Sequence, residues 1–136
     1  MKPTRFIDAA LWFPEAVETE PFGSGTLVHK VCGRMFALLR EGDNPSVNLK
    51  CDPLHALELR DRFPGGVIPG YHMNKDHWNT VTLDGTVPED EILEMLRDSY
   101  VLVARSLRKA DRERVLAVLG DDFPELSDEM PAPKAD

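Results

Sequence analysis

The stretch TLVHKVCGRMFALL, Thr26 to Leu39, constrains the fold more than any other part of the chain. Two short apolar runs, TLVHKV and RMFALL, flank a Cys-Gly pair, and the glycine permits the tight reversal of a β-hairpin. EGDNP follows as loop chemistry. SVNLKC then alternates as a third strand, with Val47 and Leu49 on one face. Asp52-Pro53 is a helix start, because Asp accepts backbone N–H groups and proline fits the first turn. This helix is expected from Pro53 to about Phe63, with Leu54, Leu57 and the Ala56/Leu59 flank as its apolar stripe. VIPGYHM and WNTVTL read as two further extended segments joined through NKDH.

Helical spacing brackets these strands. Phe6, Ala10 and Phe13, beside Ile7, recur after a capping Thr4 until Pro14 stops the run. PEAVETEPFGSG reads as acidic and irregular. Thr86 and Glu89 have capping-box spacing, and Ile92, Leu96, Val103 and Leu107 trace one face of a long helix. ADRERVLAVLG either continues it or forms a short fourth helix ended by Gly120. The order helix, three strands, helix, two strands, helix predicts an α+β two-layer sandwich: a mainly antiparallel sheet with helices on one face. At 136 residues and 42% apolar content the chain is the size of one domain. That domain is assigned to residues 1–120, and the acidic, proline-containing 121–136 is expected to be a mobile tail.

Cys32 and Cys51 stand far apart, and no basic-then-apolar leader opens the sequence. A reducing cytoplasm is the expected compartment. No apolar run approaches the roughly 18 residues that cross a bilayer, so no membrane partner is expected.

The formal net charge of -8 opposes binding to a polyanion, but the charge is uneven. Arg97 is the single cation against six acids in residues 81–104, and Lys134 faces six acids in 119–136. Residues 24–80 carry seven Lys and Arg against six acids, and 105–118 carry five against two. Arg105, Arg108 and Lys109 are candidate phosphate contacts near a helix C-terminus, where the dipole also suits positive charge. Because Asp111 and Glu113 lie in the same tract, a solvated helix face is the simpler explanation.

Catalytic signatures are missing. GSG at Gly23 to Gly25 lacks the spacing of a nucleophile elbow, and PGGVIPG lacks the lysine and hydroxyl of a phosphate loop. Neither CxxC nor HxxxH occurs, so no metal and no cofactor are expected. Cys51 and His55 are four residues apart at the start of the second helix, a spacing that a buried small Cys and a solvent-facing His account for. A protein that is not an enzyme is therefore expected.

PGYHMNKDHWNTVTLDG, Pro69 to Gly85, is the polar-rich stretch that demands an explanation. On an ideal strand Tyr71, Met73 and Lys75 point one way and His72 and Asn74 the other. Asn74 and Asn79 flank a tight connection and are expected to satisfy its backbone. Lys75 and His77 would project from the tip, with Lys50 nearby and Trp78 partly in the core.

The segments PFGSGTLVHKVCGRMFALL, VNLKCDP, PGYHMNKDHWNTV and LDGTVPEDEILEMLRDSYVLV together resemble the MmcQ/YjbR family over roughly Phe6 to Leu107. That resemblance implies a small bacterial α+β domain of the secretion-chaperone-like or frataxin-like kind. It also implies a DNA-binding label in which the sheet and its hairpins form a double wing. The family motif carries over onto Lys50, Tyr71, His72, Met73, Asn74, Lys75, His77, Trp78 and Asn79. Asp76 stands where members commonly have Lys or Arg, and the basic run after the third helix is reduced to LRKAD. Two functions follow as expectations. One is a DNA-binding domain that contacts mainly the phosphate backbone. The other is a module whose sheet face receives a protein segment or small ligand without DNA. A monomer or weak dimer is expected.

Overall fold

Cys32 and Gly33 both take the left-handed region, at φ 48° and 81°, and turn β2 (Thr26–Val31) into β3 (Arg34–Arg40). Two successive positive-φ residues give a reversal whose twist matches the strands it joins. A computed structural model of the protein, which describes residues 1–23 and 25–124, builds four more strands around this hairpin. They are β1 (Ala16–Thr19), β4 (Ser46–Lys50), β5 (Val67–Pro69) and β6 (Trp78–Thr82). The sheet order is β1-β2-β3-β4-β6-β5, and each neighbouring pair is antiparallel. The four helices are α1 (Pro3–Trp12), α2 (Pro53–Arg62), α3 (Glu89–Arg105) and α4 (Lys109–Leu119).

The pairing registers sort the two faces. Leu27, Leu39, Val47, Val81 and Val67 lie directly opposite one another across five strands, and all are buried in the core. α3 covers this row with Ile92, Leu96, Tyr100 and Val103. Complete burial of side chains of this size contributes roughly 1.5–3 kcal/mol each before the entropy of ordering them is subtracted. One residue out of step, Thr19, Val28, Leu38, Asn48, Thr80 and Ile68 form a row on the opposite face. Because side chains alternate with period two, this face is fixed as firmly as the core.

Polar bonds lock the helices to the sheet. The Ser99 hydroxyl donates to the Phe36 carbonyl at 2.6 Å and accepts the Lys50 amide at 2.8 Å. It fills the gap where Phe36 is bulged opposite the His29/Lys30 step. Tyr100 stacks on Phe13 at 4.8 Å and donates its hydroxyl to the Pro14 carbonyl at 2.7 Å. Arg114 of α4 holds Glu15 through two bonds, at 2.7 and 2.8 Å, and these keep the Glu15 carboxyl below its usual range.

The α+β two-layer expectation stands, and several local expectations are corrected. Residues 16–19, read as irregular, form edge strand β1, because Glu18 lies opposite His29 and bonds its ring. Thr4 is not a cap: Lys2 holds that position and Pro3 opens α1. Leu54 and Leu57 are exposed, at 78% and 58%, since α2 lies at the sheet margin and buries only Ala56 and Leu59. No side chain caps α2 or α3, and Pro88 rather than Thr86 occupies the α3 cap position. Thr86 instead gives its amide to Asp84 at 3.0 Å, while Glu89, Asp90 and Glu91 suit the positive end of α3. α4 is a separate helix, ended by Gly120 at φ 55°. The chain just beyond residue 120 is held by Arg97, which donates to the Gly120 and Asp122 carbonyls and lies over the Phe123 ring at 4.8 Å. The rest of the expected tail, 125–136, lies outside the described residues.

Candidate functional site

The helices leave one sheet face uncovered, and alternation decides what it carries. With Val47 and Leu49 turned into the core, Ser46, Asn48 and Lys50 of β4 are turned out. The same rule places Lys30 of β2, Arg40 of β3 and Trp78 and Thr80 of β6 on this face. Lys50 and Trp78 are cross-strand partners. Glu18, the acid of β1, is turned the other way, toward His29. Among the described residues, the strand positions of this face therefore carry three cations and no carboxylate. Acids appear only at its margins: Asp84 follows β6 and accepts the Thr82 hydroxyl, and Asp76 lies in the 70–77 loop.

That loop is sewn onto the face. Gly70 donates its amide to the Trp78 carbonyl at 2.8 Å, and a Cβ at Gly70 would lie 2.8 Å from both the Trp78 Cβ and that oxygen. Only glycine permits this approach, and it turns the chain inward over β6. Tyr71 donates its amide to Thr80 Oγ1 at 2.9 Å, and its carbonyl accepts Asn48 Nδ2 at 3.1 Å and Arg40 Nη2 at 3.3 Å. Asn48 Oδ1 in turn accepts Thr80 Oγ1 at 2.6 Å and Arg40 Nη1 at 3.2 Å. Asn48 and Thr80 are buried beneath this backbone, so their polar atoms are paired as burial requires. Burial also draws the Arg40 guanidinium somewhat below its ordinary pKa. Tyr71 remains 57% exposed, with the Arg40 guanidinium over its ring at 5.2 Å from the centroid and the His72 ring at 4.0 Å.

The structure divides the expected site residues. Lys50, Tyr71, His72 and Trp78 come together on the open face, with exposed Asn74, Lys75 and His77 in the adjoining loop. Asn79 does not join them. It is 2% exposed on the core side of β6, accepts Arg60 Nε at 2.7 Å and donates to the Ala56 carbonyl at 3.4 Å, so it binds α2 to the sheet. The expected alternation through 71–75 also fails, because β5 ends at Pro69 and His72 takes φ 59°. Asn74 does shape the turn, accepting the Asp76 amide at 2.9 Å. Lys75 folds its amine back to the Gly70 carbonyl at 3.1 Å, and its own carbonyl accepts Arg60.

Lys30, Arg40, Asn48 and Thr80 were missed. The outward phase of SVNLK already implied Asn48, whereas Arg40 depends on a loop fold that no local pattern encodes. Arg105, Arg108 and Lys109 lie at the end of α3 and the start of α4, on the helical layer. Arg108 pairs with Asp111 at 3.6 Å and Lys109 with Glu113 at 3.9 Å.

Cys51 and His55 line a cleft of about 270 Å³ between α2 and α3, beside Asp98 and Arg105. His55 pairs with Glu58 at 3.2 Å. Burial pushes the Cys51 thiol up to about 11 and raises the Asp98 carboxyl as well. A thiol so disposed is protonated at neutral pH and is a poor nucleophile. Among the described residues no cluster of His, Cys, Asp or Glu could hold a metal ion, and no helix is long and apolar enough to cross a membrane.

A six-stranded antiparallel sheet with helices on one face and a cationic, partly aromatic surface on the other defines a small two-layer α+β domain. The chain belongs to the YjbR family, whose model matches residues 11–102. It is 38% identical over 96 residues to the uncharacterised protein YbdF of Escherichia coli O157:H7, covering 70% of this chain and 78% of that protein. A crystal structure from Deinococcus radiodurans, with a domain described as DUF419, matches at TM-score 0.78 and 42% identity, covering 85% of this chain and 88% of that one. A crystal structure of a protein from Pseudomonas syringae matches at TM-score 0.66 and 30% identity, covering 75% and 98%.

Proposed function

We propose that this protein is a non-catalytic DNA-binding domain that holds phosphate groups on the open sheet face. The observation that carries the reading is the segregation of charge: Lys30, Arg40 and Lys50 share a face without a strand carboxylate in a protein of net charge -8. Such a local field attracts a polyanion even though the protein as a whole is negative. Arg40 is anchored to Asn48 and Tyr71, so part of the cost of ordering its side chain is met before binding. The contacts expected here are to phosphate and carry no base information directly.

A salt series tests this. With about three phosphates neutralised, the slope of log K against log salt should be roughly -2 to -3. Lys50→Ala should reduce the slope by about one. Asp76→Lys should raise affinity and steepen it. A second reading rests on Val17 and Ile68, which are 51% and 41% exposed on the same face: the face receives an extended protein segment. DNA binding that is undetectable at low salt in both wild type and Asp76→Lys would replace the first reading with the second.

A further inference from the structure

We infer that the DNA taken by this face is single-stranded, with an unpaired base stacked on Tyr71. The inference rests on the proposed phosphate-binding role of the same face and adds the form of the ligand. Its first support is width. Six paired strands at about 4.8 Å spacing span about 24 Å, whereas the major groove of duplex DNA is about 12 Å wide and admits a helix or a two-stranded ribbon. Lys30, Arg40 and Lys50 occupy three adjacent strands about 10 Å across, but β1 flanks them on one side and β6 and β5 on the other, so the face as a whole cannot enter a groove. The loop does not extend the surface into a probe either, because three hydrogen bonds hold the Tyr71 backbone down against Thr80, Asn48 and Arg40.

The second support is the ring itself. Tyr71 is an aromatic side chain left more than half exposed on a backbone that is fixed at both its amide and its carbonyl. Arg40, whose guanidinium lies over one side of the ring at 5.2 Å, and Lys50 further along the face supply the positive charge that a backbone would follow. Trp78, half-buried and paired with Lys50, continues the aromatic character toward the sheet margin. Cations interleaved with an exposed aromatic ring are what a single strand requires, since each base offers a face for stacking only when it is not paired inside a helix. Stacking needs no sequence-specific hydrogen bonds, which fits a face whose buried polar atoms are already satisfied internally.

Fluorescence anisotropy of the full chain with a labelled mixed-sequence DNA 20-mer, alone and annealed to its complement, tests the inference at matched salt. The single strand should bind at least about tenfold more tightly than the duplex. Tyr71→Ala, which leaves every backbone bond of residue 71 in place, should weaken single-strand binding by about tenfold or more without changing the salt slope. Tyr71→Phe should bind like wild type. If the duplex binds as tightly as the single strand, or if folded Tyr71→Ala binds the single strand at wild-type affinity, the inference fails and the phosphate-binding reading stands. If neither form binds at low salt, both fail. The ratio of the two forms in wild type decides the matter even if Tyr71→Ala does not fold.

Discussion

Asn48 is the residue on which the open face depends, and Asn48→Ala removes three hydrogen bonds at once: to Tyr71 at 3.1 Å, from Thr80 at 2.6 Å and from Arg40 at 3.2 Å. A typical net contribution is about 1 kcal/mol each, with larger costs where a buried group is left unpaired. The three are unequal here. Tyr71 O keeps its Arg40 bond at 3.3 Å, and Arg40, only partly buried, regains water. Thr80 is buried, and its hydroxyl proton loses its acceptor. The expected loss is therefore roughly 2–4 kcal/mol, most of it at Thr80. With a urea m-value of about 2 kcal/mol/M for a domain of this size, the unfolding midpoint should fall by about 1–2 M. Because the lost bonds tie the loop to the sheet, the Tyr71 amide should also lose protection from hydrogen exchange, while the Lys50 amide, held by Ser99, keeps it. A loss below about 0.5 kcal/mol, or equal deprotection of both amides, would refute the claim that Asn48 organises this loop.

Two further outcomes follow from other parts of the molecule. His29 is fully buried between Phe6 and Phe36, donates or accepts only at Glu18, and has no partner at Nδ1; burial holds its pKa below the usual 6.5 against the opposing pull of Glu18. The folded state thus favours the neutral ring, so stability from this group is complete above pH of about 6.5 and declines as pH falls from there toward the folded value; urea midpoints between pH of about 7.5 and 5.5 should drop more in wild type than in His29→Gln, and identical slopes would discard this assignment. Gly70→Ala places a Cβ 2.8 Å from the Trp78 Cβ and backbone oxygen, and since that neighbour is backbone the Gly70–Trp78 pair must part; a cost of about 1–3 kcal/mol is expected from thermal melts, and a neutral result would mean the loop shifts at no cost.

Much of the architecture was legible because it rests on local chemistry. The 26–39 hairpin announces itself through Cys32 and Gly33, and SVNLK through alternation. What escaped was set by distant parts of the chain. AVET looks irregular because three of its four positions face solvent, and it becomes a strand only when β2 is there to pair with it. Leu54 and Leu57 have helical spacing, but the position of α2 at the sheet margin lets just Ala56 and Leu59 reach the core. The polar stretch 69–85 stands out in the sequence, yet its residues divide in a way no period could reveal: Asn79 serves α2 through Arg60, and Tyr71 crosses two strands to meet Arg40. Arg40 ends an apolar strand and looks like a boundary residue until the loop is folded over it.

The distribution of charge between the layers completes the physical case for a face-specific interaction. α3 places Glu89, Asp90 and Glu91 at its start, where the helix dipole favours them, and Arg5 and Arg62 pair with Glu89 and Glu91 from neighbouring helices. Those acids are thereby held on the helical side, far from the outward strand positions. A polyanion approaching the acidic start of α3 meets repulsion over about a Debye length, roughly 8 Å at physiological salt, whereas one approaching the sheet meets Lys30, Arg40 and Lys50. On the proposed DNA-binding reading, the net negative charge orients the encounter and does not forbid it. Charge reversal at Lys50, as in Lys50→Glu, should consequently lower affinity more than the same reversal at Arg108, which lies on the helical layer beside Asp111; equal effects would show that the encounter is governed by net charge alone.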